Sequence, residues 1–285
     1  MTSIAITGYA SLDYVVRLEG SPHPDATVIA ARPAGAWPRL GGSPSYIAAA
    51  LIRAGVARAV PLTWVADDEA GVQFVACLSA GRIPVDGVAR DLGGRTPVCI
   101  LAYAPDGACF CLYDPGASRR VGLADFQGAI VDAAGWVCVT VGPATATRAV
   151  LARLRPEQRL AWVVKADADA FAPALRAALA ARADLIVCSQ GERLLVAEAQ
   201  TAAPVRAGCI LVETRGADGA LVSVAGSSRM IAAEMLAVAD PTGAGDTFVG
   251  GMLAALTADP DDAAAAVRAG QRAARDMLSA RIGEG

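Results

Sequence analysis

Gly243, Ala244, Gly245 and Asp246 stand just ahead of Val249, Met252, Leu253 and Leu256, which recur at helical spacing. Small residues that open a buried helix leave its first N–H groups unpaired and uncovered, at the positive end of the helix dipole. Such a turn can close on an anion, and phosphate is the usual guest. Asp246 falls in the first turn, beside whatever the amides hold. A carboxylate there suits the removal of a proton from a hydroxyl that attacks phosphorus. Asp246 is therefore the candidate general base, and Gly243, Ala244 and Gly245 the candidate anion hole. The competing reading takes the glycines as a packing device and Asp246 as a helix cap.

The residue inventory narrows the chemistry. Lys165 is the only lysine and His23 the only histidine. No Gly-Lys-Ser/Thr string exists, which excludes a P-loop, and a single histidine among prolines argues against a histidine relay. Phosphate chemistry must then rest on backbone N–H groups, arginine and a bound cation. The first strand-like run, Ser3 to Thr7, leads into Gly8-Tyr-Ala-Ser-Leu-Asp13 and lacks the glycine fingerprint of dinucleotide binding. Asp13 is either a carboxylate that accepts two vicinal sugar hydroxyls or a turn or strand-end aspartate. The net charge of −3 offers no basic face for nucleic acid. No run approaches the roughly 20 apolar residues of a membrane span. The seven cysteines, Cys109 and Cys111 among them, read as reduced and buried thiols of a cytoplasmic protein.

The elements that must position these residues alternate. From Gly135 onward the chain reads strand (Trp136 to Val141), helix (Ala144 to Leu154), strand (Leu160 to Val164), helix (Ala172 to Ala181) and strand (Leu185 to Cys188). Two further strands, Cys209 to Thr214 and Ala220 to Val224, follow. This pattern predicts an α/β fold with a mostly parallel central sheet, helices on both faces, and sites at the carboxyl ends of the strands. Gly41 and Gly42 precede a helix with Ser43 as N-cap, Pro44 as first residue and Gly55 as stop. Asp67, Asp68 and Glu69 cap another, running to Ala80. Asp259 to Asp262 cap the last, running through Met277. Two stretches break the rhythm: Glu19 to Leu40, with one β-like run at Thr27 to Ala31, and a hairpin whose arms are Thr96 to Tyr103 and Ala108 to Tyr113. They predict a small β lid, from about 13–40 and 95–115, on a single domain of 1–285.

The full string from Asp240 to Gly251, Asp-Pro-Thr-Gly-Ala-Gly-Asp-Thr-Phe-Val-Gly-Gly, resembles the C-terminal signature of the ribokinase-like (PfkB) family of carbohydrate kinases. The resemblance implies an ATP-dependent phosphotransferase acting on a hydroxyl of a small sugar or polyol. Gly243 to Gly245 would supply the anion hole and Asp246 the base. Asp13 would grip substrate hydroxyls, and Gly41 and Gly42 would shape the pocket. The family usually has Asn where this chain has Tyr46, whose ring can stack on a ligand or simply pack on its helix. A nucleoside or inositol is the alternative acceptor. Glu192, at the end of Ser189-Gln-Gly-Glu, matches a family glutamate that organises Mg²⁺ through water, and Ser189 stands where the family has Asn. Thr214, Gly216 and Gly219 fall where the nucleotide is bound. Asp240 and Thr242 fall where many members hold a monovalent cation such as K⁺, with residues 279–283 left to complete that site and the adenine pocket. The lid would cover the sugar and pair with a second copy as a homodimer. Tyr46 and Ser189 are the departures that favour a non-catalytic sugar- or nucleotide-binding protein.

Overall fold

Strands buried on both faces need apolar side chains at every position, and four stretches satisfy that here. Ile4 to Ile6, Val137 to Val139, Leu160 to Val163 and Leu185 to Cys188 are all buried. The computed structural model describes residues 3–91, 93–116, 118, 121–236, 238 and 240–283. In chain order its elements begin with β1 (Ser3–Thr7), β2 (Ser11–Leu18), β3 (Ala30–Ala31), β4 (Arg39–Gly41), α1 (Ser43–Arg53), β5 (Arg58–Ala66), α2 (Glu69–Ala80) and β6 (Val88–Asp91). Next come β7 (Val98–Tyr103), β8 (Cys109–Asp114), α3 (Asp125–Ala133), β9 (Trp136–Val139), α4 (Ala144–Arg153), β10 (Arg159–Val163) and α5 (Pro173–Arg182). The chain continues with β11 (Leu185–Ser189), α6 (Arg193–Ala202), β12 (Ile210–Thr214), β13 (Ala220–Val224), β14 (Ser227–Ile231), α7 (Ala244–Ala258) and α8 (Ala263–Gly283).

Among the described residues the main sheet has nine strands, ordered β14-β13-β12-β11-β10-β9-β1-β5-β6. The pairs from β6 across to β12 are parallel, and β13 and β14 add an antiparallel edge. Alternation along β1 sends Ile4 and Ile6 into one core and Ala5 into the other. The first core carries Leu51 of α1, Phe74 of α2, Val249 and Met252 of α7 and Val267 of α8. The second carries Val131 of α3, Val150 of α4, Leu179 of α5 and Val196 of α6. Helices thus cover both faces, as expected.

A second sheet of five strands stands apart, ordered β3-β2-β7-β8 with β4 also on β2. It joins segments far apart in sequence: β2 and β7 pair in parallel, with Asp13 opposite Cys99. Asp13 therefore lies inside a strand rather than in a turn. The β-like run at Thr27 to Ala31 reduces to the two residues of β3.

Other differences are local. Gly42, not Ser43, is the residue before α1, at φ +83° and with no side-chain cap, and Ser43 is already helical. The left-handed backbone at that point asks for glycine. Asp68 caps α2 by accepting from the Gly71 N–H at 2.8 Å. The last helix does not stop at Met277 but continues to Gly283. Cys109 and Cys111 are exposed on β8, against the expectation of buried thiols. Among the described residues no helix is long and apolar enough to cross a membrane.

Two glycines seat α7. A Cβ on Gly250 would come within 2.6 Å of the Ala50 Cβ, and one on Gly251 within 2.6 Å of the Ala273 Cβ. Their absence lets α7 press directly on α1 and α8, which fixes where its N-terminal turn falls.

Candidate active site

The residue before α7, Gly243, has left-handed backbone at φ +80°, and a Cβ there would strike the ring of Tyr46. Both facts require glycine. The Ala244 N–H donates to the Pro241 carbonyl at 3.0 Å, and the Thr247 N–H to the Gly243 carbonyl at 2.8 Å. No described residue accepts from the N–H groups of Gly243, Gly245 or Asp246. The free donors are therefore Gly243, Gly245 and Asp246 itself, with the expected Ala244 amide already used within the turn. A Cβ on Gly245 would meet nothing within 4 Å, so that flank is open. Asp246 is half-buried, and its Oδ1 is fully enclosed without a hydrogen-bond partner. Leaving such an oxygen unsatisfied costs about 1–3 kcal/mol, a cost typical of sites completed by a ligand.

Lys165 follows β10 at the carboxyl end of the sheet. The charge of Asp246 is the main influence raising its pKa; burial opposes, and Glu192 adds to the rise. The ammonium therefore stays protonated under the influence of both carboxylates. Sequence reasoning used Lys165 only to exclude a P-loop. Its signal was being the sole lysine, placed directly after a buried strand.

Asp13 is only 4 % exposed and accepts from the Ser11 hydroxyl at 2.6 Å. Burial raises its pKa, the Ser11 hydrogen bond and Arg39 oppose, and the charges of Asp240 and Asp246 push it further up. A Cβ on Gly41 would collide with the Asp13 carboxylate, so that glycine serves the aspartate. A Cβ on Gly42 would meet the Tyr9 carbonyl. Tyr46 lies in the first turn of α1 with its ring on Gly243 and its hydroxyl enclosed without a partner. Burial pushes its phenol up to about 12, against the pull of Arg39. The structure thus brings Asp13, Gly41, Gly42 and Tyr46 to the turn that carries Asp246.

Arg39, opposite Asp13 in the β2–β4 register, was not foreseen. It clasps the Asp240 carboxylate with Nη1 at 2.6 Å from Oδ2 and Nη2 at 3.2 Å from Oδ1. The Tyr103 hydroxyl of β7 lies 2.5 Å from Thr242 Oγ1. Burial works against the Asp240 charge, but hydrogen bonds from Arg39 and Thr242 and the Arg39 charge outweigh it and hold the carboxyl at about 2. The carbonyls of Asp240 and Thr242 both accept from Arg281 Nη1, at 3.0 and 2.9 Å. These are the oxygens that the resemblance assigns to a monovalent cation, and the Arg281 guanidinium is hydrogen-bonded to them.

Ser189 and Glu192 pair with each other. Glu192 Oε2 accepts from both the N–H and the hydroxyl of Ser189 at 2.8 Å, the return half of a capping box. A cavity of about 520 Å³ is lined by Thr214, Gly216 and Gly219, by Ala244 and Gly245 of the α7 turn, and by Arg268, Gln271 and Arg272 of α8. Its volume suits a drug-sized ligand such as a nucleotide. Neither Ser189 nor Glu192 lines it. Arg215, beside Thr214, donates through Nε to Glu213 at 2.7 Å.

An anion-accepting turn that lines that cavity and lies close enough to the Asp13 carboxylate for their charges to interact can bring a phosphorylated donor and a hydroxylated acceptor together, which is the task of a small-molecule kinase. The chain belongs to the PfkB family: residues 1–281 match the pfkB family carbohydrate kinase. Its members are kinases, so the chain is a phosphotransferase by family. No curated protein sequence matches it. The fold is similar to that of a Methanocaldococcus jannaschii nucleoside kinase at a TM-score of 0.78 and 17% identity, over 98% of this chain and 92% of that one. It is also similar to a Burkholderia thailandensis nucleoside kinase in complex with inosine, at a TM-score of 0.76 and 19% identity, over 95% and 90%. A ribokinase from Cryptococcus neoformans in complex with ADP matches at a TM-score of 0.77 and 20% identity, over 96% and 93%.

Proposed function

We propose that this kinase transfers the γ-phosphoryl group of ATP to a hydroxyl of a small sugar. The observation that carries the proposal is Asp246 Oδ1, enclosed without a partner beside three free amides. Asp246 takes the proton of the attacking hydroxyl. The N–H groups of Gly243, Gly245 and Asp246 hold the charge on the migrating phosphoryl group, with Lys165 supplying a nearby positive charge. Asp13 accepts the substrate hydroxyls from the opposite side. The nucleotide base lies in the cavity along Thr214, Gly216 and Gly219, with its phosphates toward Gly245.

Among the described residues no three His, Cys, Asp or Glu side chains stand close enough to hold a metal by themselves. That fits Mg²⁺, which is bound through one or two carboxylates, waters and substrate phosphates. Glu192, half-buried and with Oε1 uncommitted, would hold it through water. When bound, Mg²⁺ neutralises charge on the nucleotide phosphates. The five-stranded sheet acts as the lid: Arg39 and Tyr103 tie it to the 240–242 turn, which excludes water that would otherwise take the phosphoryl group. The lid also presents Phe110 and Leu112 of β8, 45% and 63% exposed, with Ile100 across from Leu112, as a face for a second copy. An ATP-dependent enzyme with seven free thiols suits the cytoplasm.

A nucleoside acceptor is the second reading. The aromatic face and unpartnered hydroxyl of Tyr46 favour it, since both could serve a ligand carrying a base. The test is ADP formation from ATP with ribose, fructose, inosine, adenosine and myo-inositol in parallel. Turnover with a free sugar supports the first reading and turnover with nucleosides alone the second. ATP binding with no transfer to any acceptor contradicts both and leaves a binding protein.

A further inference from the structure

Arg281 sits in the last turn of α8, and its side chain reaches back to the turn that precedes α7. Nη1 donates to the Asp240 carbonyl at 3.0 Å and the Thr242 carbonyl at 2.9 Å, and lies 3.5 Å from Asp240 Oδ2. Two carbonyl oxygens and a carboxylate converging on one point form a ligand set for a hard cation. The same carboxylate is clasped from the lid side by Arg39 and accepts the Thr242 N–H at 3.1 Å. No inorganic ion could take those oxygens without displacing the guanidinium. The next residue is Gly243, whose left-handed φ aims the free amides.

Charge and shape favour the substitution. A guanidinium stays ionised at any pH the protein tolerates, and its planar fork can hold several oxygens in fixed directions. A tethered cation also carries no cost for capturing an ion from solution. A cation at the end of α8 is further favoured by the dipole of that helix. Arg39 and Arg281 do not duplicate one another: the first holds the carboxylate to the lid, the second holds the main chain to α8.

We infer that Arg281 is a built-in cation that takes the place of a monovalent metal ion, positioning the 240–242 turn so that the amides of Gly243, Gly245 and Asp246 point at the transferred group. Phosphotransfer by this chain then needs no K⁺ or Na⁺. The catalytic consequence rests on the kinase reading; the structural consequence does not.

The experiment compares the full-length wild type with Arg281→Ala and Arg281→Lys in equal concentrations of KCl, NaCl and tetramethylammonium chloride, with and without methylguanidinium. Melting temperature, ADP affinity and turnover are read for each. The wild type is expected to give the same three values in all salts. Arg281→Ala is expected to lose about 10- to 10²-fold in kcat, the scale of an ångström-sized misplacement. It should also acquire a melting temperature and a turnover that rise with K⁺ or methylguanidinium. Arg281→Lys should fall between the two and need less rescue. A wild type whose melting temperature or kcat rises several-fold or by several degrees with K⁺ overturns the inference. So does a folded Arg281→Ala that neither K⁺ nor methylguanidinium alters, since that behaviour marks a packing residue. If no protein transfers phosphate under any condition, the kinase reading fails, while the melting comparison still decides the cation question.

Discussion

Replacing Gly243 by alanine adds one methyl group at the point where the phosphate turn, Tyr46 and α7 meet. Two costs follow from the structure. A residue with a Cβ at φ +80° loses roughly 1–2 kcal/mol against the right-handed alternative. The new methyl would also stand 2.5 Å from Tyr46 Cδ1 and 2.7 Å from Cζ, so ring or backbone must move, at about 1–3 kcal/mol. The protein can absorb the sum of about 2–5 kcal/mol by unfolding more readily, or by flipping the turn and misdirecting the amides. The first outcome registers in a denaturant titration and the second in kcat, so both are measured on the same sample. Adding Tyr46→Ala separates the terms: it removes the collision, so the double variant should recover the second cost and keep the first. A Gly243→Ala protein with wild-type stability and wild-type kcat would refute the reasoning. So would a double variant no more stable than Gly243→Ala corrected for the loss of Tyr46 alone.

Three further outcomes follow. Asp240 titrates at about 2 in the folded protein against 3.8 ordinarily, so the folded state binds fewer protons between those values. Its contribution to stability is complete above about pH 4 and is lost as the pH falls toward 2, and an acid-unfolding series on Arg39→Gln should show a smaller share of that dependence. Asp13→Ala should raise the KM for the acceptor by about 10- to 10²-fold, the loss of a charge-assisted hydrogen bond of about 1.5–3 kcal/mol, and calorimetry should find ADP affinity unchanged. Phe110→Ser with Leu112→Ser should shift a dimer to monomer in sedimentation, and a wild type already monomeric at high concentration would remove the lid-pairing proposal.

The parts of the site legible in sequence were those whose physics is local. Gly243 to Asp246 are contiguous and announce a helix start with room for an anion. The alternating apolar runs announced the parallel sheet because strands buried on both faces tolerate little else. The strands β6 and β14 and helix α3 escaped: β14 is exposed over four of its five residues, and α3 carries Gly128 in its middle. Contacts across long separations left no mark. Arg39 and Asp240 are 201 residues apart, and nothing near either shows that they meet. The resemblance pointed to residues 279–283 as a group but did not single out Arg281, which the extension of α8 to Gly283 carries to the turn. The spent Ala244 amide depends on a turn closed by Pro241, which composition cannot reveal. Ser43 illustrates a local rule overruled: serine is a good cap, but the backbone angle at that junction required Gly42 to stand there.

The most direct test of the central claim is Asp246→Asn, which keeps the shape of the side chain and removes its capacity to take a proton. Isothermal calorimetry with ADP should give wild-type affinity, while kcat with the best acceptor falls by about 10²–10⁴-fold. A variant that binds ADP normally and turns over within a few-fold of wild type would contradict the assignment of Asp246 as the base.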